Sequence, residues 1–261
     1  MPLQEREGVF HLSKMYVVGI GPGGYEFMTI KAADVLKNCD VIVGYTVYID
    51  LVKDHFSDKE FLSTPMRKEV DRCRMAFEEA KKGKNVAMIC SGDAGVYGMS
   101  GLMLTIGAEE FPDIPVEIVS GVSATLSGAS VLGAPLIHDF AVISLSDLLT
   151  PWEVIEKRIA AAADSDMAMC FYNPSSKKRH DYLQKACDII LKYRKPENVC
   201  GTVEQIGREG ETFHVYTLKE LRDVQVDMFT TVFIGNSKTQ IINGRMVTPR
   251  GYRGVEDQEE E

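Results

Sequence analysis

Two hydrophobic periods alternate along the chain from Met15 onward. MYVVGI, DVIVGY (40–45), NVAMICSG (85–92) and VEIVSG (116–121) are short, nearly continuous apolar runs, as expected for strands buried on both faces. Between them TIKAADVLKNC (29–39) sets Ile30, Ala33, Val35 and Leu36 near one helical face. PMRKEVDRCRMAFEEAKKGK (65–84) reads as a charged amphipathic helix stopped by Gly83. This alternation predicts a mostly parallel sheet covered by helices. From about Ala134-Pro135 the texture changes. FAVISLSD, DMAMCFYN, NVCGTVEQIG, ETFHVYTL and TTVFIGN are strand candidates with only two clear helices among them, so a second α/β domain with a mixed sheet is expected. The division reads as a flexible leader 1–14, an N-terminal domain 15–136, a C-terminal domain 137–251 and an acidic tail 252–261.

Both C-terminal helices carry start signals. Thr150-Pro-Trp-Glu153 predicts Thr150 as N-cap, Pro151 at the first helical position and Glu153 closing a capping box. In YNPSSKKRHDYLQKACDIILKY, Ser175 or Ser176 is the expected cap, with Leu183, Ala186, Ile190 and Leu191 facing inward. Its first turn would then hold Lys177, Lys178 and Arg179. Cations there oppose the helix macrodipole by roughly 0.3–1 kcal/mol each. That arrangement suits a site where an anion sits, or a solvated basic patch answered by Asp181.

Composition narrows the class. Of the net charge of −9, the stretch GVEDQEEE at 254–261 supplies −5, and an acidic protein is a poor candidate for nucleic-acid binding, which rests on neutralised phosphates. No apolar run approaches the roughly 18 residues that span a bilayer. The opening MPLQEREGVFHLSK has early charges and no apolar centre, unlike a secretion signal; a cytoplasmic protein is expected. The six cysteines form no C-x-x-C pair, which suggests buried thiols in a reducing compartment, with neither a disulfide framework nor a metal site.

MYVVGIGPGG spells G-x-G-x-x-G after a strand, the pattern of a dinucleotide loop. Pro22 removes one N–H donor from the segment that would cradle a pyrophosphate, and the second strand ends Val43-Gly44-Tyr45 with no acid for a ribose hydroxyl. A tight strand-to-helix turn, or a loop for another ligand, remains. A second loop, Cys90-Ser-Gly-Asp-Ala-Gly-Val-Tyr-Gly98, places Asp93 at a strand's carboxyl end, as a ligand-facing residue or as the N-cap of the next helix. A third, Ser120-Gly-Val-Ser-Ala124, opens a helix of small residues.

In this order, GxGPGG, SGDAGVYG and SGVSA resemble the tetrapyrrole methylase family across residues 15 to 251. The resemblance implies a class III S-adenosylmethionine methyltransferase: a homodimer of two α/β domains with the cofactor in the cleft between them. It implies cofactor contacts at Pro22, Ser91, Gly92, Asp93, Ser123 and Ala124, and at Asn173, Val203, Thr230 and Thr231 in the second domain, with S-adenosylhomocysteine as product. Within the family, HDFAVISLSDLLTPW (138–152) and FYNPSSKKR (171–179) look like the branch that methylates C17 of precorrin-3B or of cobalt-factor III and contracts the macrocycle, a step of cobalamin biosynthesis. A polycarboxylate tetrapyrrole would then be held by Lys177, Lys178 and Arg179. The proton transfers of contraction would fall to Asp147, His138, Asp139 or Ser144, though Ser144 and Asp147 equally suit a turn. Rival readings are another methylase of this architecture, a non-catalytic tetrapyrrole- or nucleotide-binding protein, and a nicotinamide dehydrogenase.

Overall fold

The computed structural model describes residues 13–176 and 179–252. These divide into two compact units at Ser123/Ala124. In the first, β1 (Met15–Gly19), α1 (Ile30–Asn38), β2 (Val41–Tyr45), α2 (Thr46–Val52), β3 (Glu60–Thr64), α3 (Glu69–Lys81), β4 (Val86–Cys90), α4 (Ser100–Glu110) and β5 (Val116–Val119) follow one another. The sheet runs β3-β2-β4-β1-β5, and all of its pairings are parallel. Its three central strands, β2, β4 and β1, are buried on both faces, with Val17, Val43, Met88 and Phe77 in one apolar layer and Val18, Ile42, Ile89 and Leu36 in the other. α1 starts at Thr29, whose side chain accepts the Ala32 N–H, and it buries Ala32, Ala33 and Leu36. Ile30, read as lying near the inward face, is 82% exposed.

The second unit contains α5 (Ala124–Leu132), β6 (Gly133–Ala134), β7 (Phe140–Ser144), α6 (Trp152–Asp164), β8 (Ala168–Tyr172), α7 (Tyr182–Ile190), β9 (Val199–Glu204), β10 (Thr212–Thr217), α8 (Leu218–Leu221), β11 (Thr230–Ile234), β12 (Gln240–Ile242) and β13 (Arg245–Val247). The five strands expected from sequence form one mixed sheet, β10-β9-β11-β8-β7, in which only the β7–β8 pairing is parallel. A small sheet β12-β13-β6 adjoins them. The units divide before α5, ahead of the expected break at 136, because α5 packs on the second sheet. At Gly128 an added Cβ would lie 2.9 Å from Ile206 and Phe233 side-chain atoms, so the small residues of α5 let a helix seat directly on strands.

Two expected caps do not form. α6 has Pro151 as its N-cap, in extended conformation and with no side-chain cap, so the Thr150–Glu153 capping box is absent and the helix begins one residue later than expected. α7 begins at Tyr182 behind Asp181, which places Ser175, Ser176 and Arg179 in the preceding turn. The macrodipole argument for Arg179 therefore does not apply. Lys177 and Lys178 lie outside the described residues.

All six cysteines are free and buried. Burial pushes the thiols of Cys39, Cys73, Cys170 and Cys187 up to about 12 and Cys90 to about 11, and raises Cys200 as well. Since the thiolate is the reactive form, the native protein at pH 8 is expected to leave all six unmodified by a thiol reagent that labels every one in denaturant. Rapid labelling of the native protein would contradict this burial.

Candidate functional site

β4, β1 and β5 are adjacent and parallel, so the loops that leave their carboxyl ends share one edge of the first sheet. Open α/β sheets bind ligands at such edges. The loops meet glycine to glycine. Gly21 and Gly92 form a two-way backbone bridge, with Gly21 N–H donating to the Gly92 carbonyl at 3.1 Å and Gly92 N–H to the Gly21 carbonyl at 2.7 Å. Both have positive φ, +78° and +69°, which glycine adopts freely. A Cβ at Gly19 would stand 2.7 Å from Gly121 N and from the Gly92 oxygen. One at Gly121 would overlap the Gly92 carbonyl and lie 2.6 Å from Gly19 backbone atoms.

Asp93 staples the second loop to the third. Its Oδ1 accepts the N–H groups of Gly95 at 2.8 Å and Val96 at 3.2 Å, and its Oδ2 accepts Gly121 N–H at 2.9 Å. It does not cap α4, whose N-cap is Met99. The Asp93-closed turn projects Gly95, Val96, Tyr97 and Gly98 into solvent. Tyr97 sits at φ +55°, a conformation that costs a side-chain-bearing residue on the order of 1 kcal/mol.

The dinucleotide reading fails on topology as well as on Pro22. β2 is not beside β1 but one strand away, beyond β4, and α1 does not follow the glycines directly, since a short turn at Tyr25–Phe27 intervenes. Only this single turn of 3-10 helix, and no α-helix N-terminus, stands at the loop to receive a pyrophosphate. A buried Pro22 with a carbonyl and no N–H, among glycines that keep side chains away, suits a neutral or cationic ligand better than a diphosphate.

In the second unit most candidate residues gather at one sheet end. Val203 pairs with Thr231 across β9 and β11. Val232 pairs with Phe171, which sets Thr231 beside Tyr172, and Tyr172 pairs with Ser144 of β7. Asn173 follows at φ +53°, and its Nδ2 donates to Ser144 Oγ at 3.0 Å. Val203, Thr230, Thr231, Asn173 and Ser144 thus share one end. His138 and Asp139 precede β7, while Ser144 ends it and Asp147 follows. A five-residue strand spans about 16 Å, so these four residues do not form one acid–base group.

Asp147 is an anchored carboxylate. One oxygen pairs with Arg179 Nε and the other accepts the Tyr182 hydroxyl at 2.7 Å. The Tyr182 hydroxyl first, and then Arg179, hold its carboxyl below the usual carboxylate range. A lowered value means that this pairing stabilises the fold above the ordinary carboxylate pKa and is lost as pH falls through the lowered one. Such a group holds charge near neutrality and is ill suited to donate a proton. Arg179 is answered by Asp147, whereas Asp181 pairs with Lys185 at 2.8 Å.

Tyr172 was not singled out in the sequence. Its hydroxyl accepts Thr125 N–H at 2.9 Å, tying the β8 end to the first turn of α5. An aromatic hydroxyl at a strand's last position was the available signal, but its partner lies 47 residues away in the chain.

A non-Rossmann glycine junction on a parallel sheet, joined to a mixed-sheet unit, defines the α/β methylases that bind their cofactor outside a dinucleotide fold. Residues 14–222 match the model of the Tetrapyrrole (Corrin/Porphyrin) Methylases, and the chain belongs to that family. It is 45% identical over 236 residues, covering 90% of this chain and 98% of the relative, to a Salmonella typhimurium protein named "Probable cobalt-factor III C(17)-methyltransferase". It is 43% identical to the "Cobalt-factor III methyltransferase" of Priestia megaterium, over 92% of this chain but only 45% of that longer protein. The crystal structure of the methyltransferase CobJ superposes with a TM-score of 0.84 at 32% identity, over 91% of this chain and all of that one. The chain is a methyltransferase.

Proposed function

We propose that this protein transfers a methyl group from S-adenosylmethionine to C17 of cobalt-factor III, with contraction of the macrocycle, in cobalamin biosynthesis. The observation that carries the proposal is the 45% identity that runs through nearly the whole of the Salmonella relative. The name of the second relative supports the cobalt-bearing substrate over precorrin-3B.

Bound S-adenosylmethionine supplies an electrophilic sulfonium methyl. The protein's task is to orient the acceptor carbon in line and exclude water. In this proposal Pro22, Ser91, Gly92, Asp93, Ser123 and Ala124 hold the cofactor, with Asn173, Val203, Thr230 and Thr231 as the second unit's contribution. Asp93 acts by fixing the loops. Arg179 grips a substrate carboxylate, a planar two-donor interaction. Ser144, held by Asn173, is the acid–base candidate at the clustered sheet end, while Asp147 serves Arg179. No described helix is long and apolar enough to cross a membrane; a cytoplasmic homodimer completes the proposal.

Purified protein incubated anaerobically with S-adenosylmethionine is expected to add one methyl to cobalt-factor III and to leave metal-free precorrin-3B largely unchanged, read by mass spectrometry. Methylation of precorrin-3B alone would reassign the substrate to the metal-free route.

A further inference from the structure

We infer that Tyr182 is a positioning residue for carboxylate recognition: its hydroxyl fixes Asp147, and Asp147 fixes the Arg179 guanidinium that receives a carboxylate of the macrocycle. The inference rests on the proposed role of Arg179 and extends it to a residue outside the cofactor loops.

Four segments form a chain of contacts that ends at one guanidinium. Asp147 comes from the loop after β7 and Arg179 from the turn before α7, while Tyr182 opens α7 and Trp152 opens α6. Asp147 spends both oxygens, one on Arg179 Nε and one on the Tyr182 hydroxyl. Ser176 Oγ accepts from Arg179 Nη1 at 3.3 Å. The Tyr182 ring cannot swing away, because Trp152 packs on it with ring centroids 4.3 Å apart. Trp152 is itself pinned, its indole N–H donating to Glu156 at 2.7 Å.

Stability alone does not account for this construction. The Asp147 side chain is 31% exposed and that of Arg179 18%, so water still screens the pair and its contribution to stability is modest. A guanidinium carries five N–H donors in a rigid fork; Asp147 and Ser176 engage two of them, so donors remain for an incoming carboxylate. Directly after Asp147, Leu148 and Leu149 are 60% and 98% exposed. An anchored cation beside exposed apolar side chains suits a flat macrocycle with an apolar face and a rim of carboxylates. A fixed fork loses less freedom on binding than a mobile one, and this is the gain that the Tyr182 hydroxyl secures.

The experiment is a spectroscopic titration of the full-length protein with a porphyrin polycarboxylate and, separately, with its methyl ester. S-adenosylhomocysteine affinity is measured on each variant as the check on folding. Tyr182→Phe keeps the ring on Trp152 and deletes only the hydroxyl. It is expected to weaken the polycarboxylate about three- to tenfold, the equivalent of one hydrogen bond, while ester and S-adenosylhomocysteine affinities stay unchanged. Asp147→Asn should show the same selective loss, and it stands in for Tyr182→Phe should that variant fold poorly. If Arg179→Gln weakens the polycarboxylate and neither Tyr182→Phe nor Asp147→Asn does, the positioning role is overturned and the role of Arg179 stands. If Arg179→Gln has no effect, the carboxylate reading beneath it falls. Equal loss of ester and polycarboxylate in Tyr182→Phe would assign Tyr182 to packing and also overturn the inference.

Discussion

Gly121→Ala is expected to abolish S-adenosylhomocysteine binding and to lower Tm by several degrees. The new Cβ would overlap the Gly92 carbonyl and crowd Gly19 at 2.6 Å. These obstacles are backbone atoms of two other loops, so no rotamer change relieves them. Overpacking a tight site costs about 1–3 kcal/mol, and for a chain of this size each kcal/mol moves Tm by roughly 2–4 °C. The effect on binding should be larger than the effect on folding, because relief requires the loops to part at the very edge proposed to hold the cofactor. Gly101→Ala is the matched control. It lies in α4 with nothing within 4 Å of its added Cβ, and exchanging a helical glycine for alanine gains about 0.5–1 kcal/mol. Thermal scans with and without S-adenosylhomocysteine check both. A Gly121→Ala protein with normal Tm and a normal ligand-induced shift would mean that the three loops are not packed as described.

Asp93→Ala should raise the S-adenosylhomocysteine Kd by at least about tenfold, the equivalent of roughly 1.4 kcal/mol, and lower Tm modestly. Water can replace the carboxylate at the exposed Gly95 and Val96 N–H groups. The Gly121 N–H is partly buried, and leaving such a donor without an acceptor costs about 1–3 kcal/mol. Expressed as Tm this is a few degrees, so the variant should remain folded at 25 °C while its loops lose register. Asp93→Asn keeps one acceptor oxygen and turns an amide toward one of the three donors, and it is expected to fall between wild type and alanine. Calorimetric titration at 25 °C checks the series. An unchanged Kd in Asp93→Ala would remove the staple from the site.

Those two residues also show how far the sequence can be read. The three glycine loops were visible as loops because each follows a largely apolar run, and the edge they share followed from parallel strands. That Gly19, Gly92 and Gly121 touch one another was not visible, since it depends on β1 lying between β4 and β5, a strand order that no local pattern encodes. The same holds for Asp93. An acid before Gly95 reads as a ligand-facing residue or a helix cap, and only the distant Gly121 N–H shows what it bonds. β3 escaped notice because EFLST lies at the sheet edge, where its half-exposed residues lack a buried strand's continuous apolar signal. In the second unit the strands were legible from composition. The caps of α6 and α7 were not, because Pro151 and Asp181 take the N-cap positions without side-chain hydrogen bonds. His138 and Asp147 were both acid–base candidates in the sequence, and a strand between them holds them apart.

The measurement that bears most directly on the C17 assignment uses S-adenosylmethionine carrying a carbon-13 methyl group, with cobalt-factor III under anaerobic conditions. Carbon NMR of the isolated tetrapyrrole is expected to place the label on C17 and nowhere else. Label at another ring carbon, or none transferred by a protein that binds S-adenosylhomocysteine normally, would leave the family membership intact and contradict the assignment to C17.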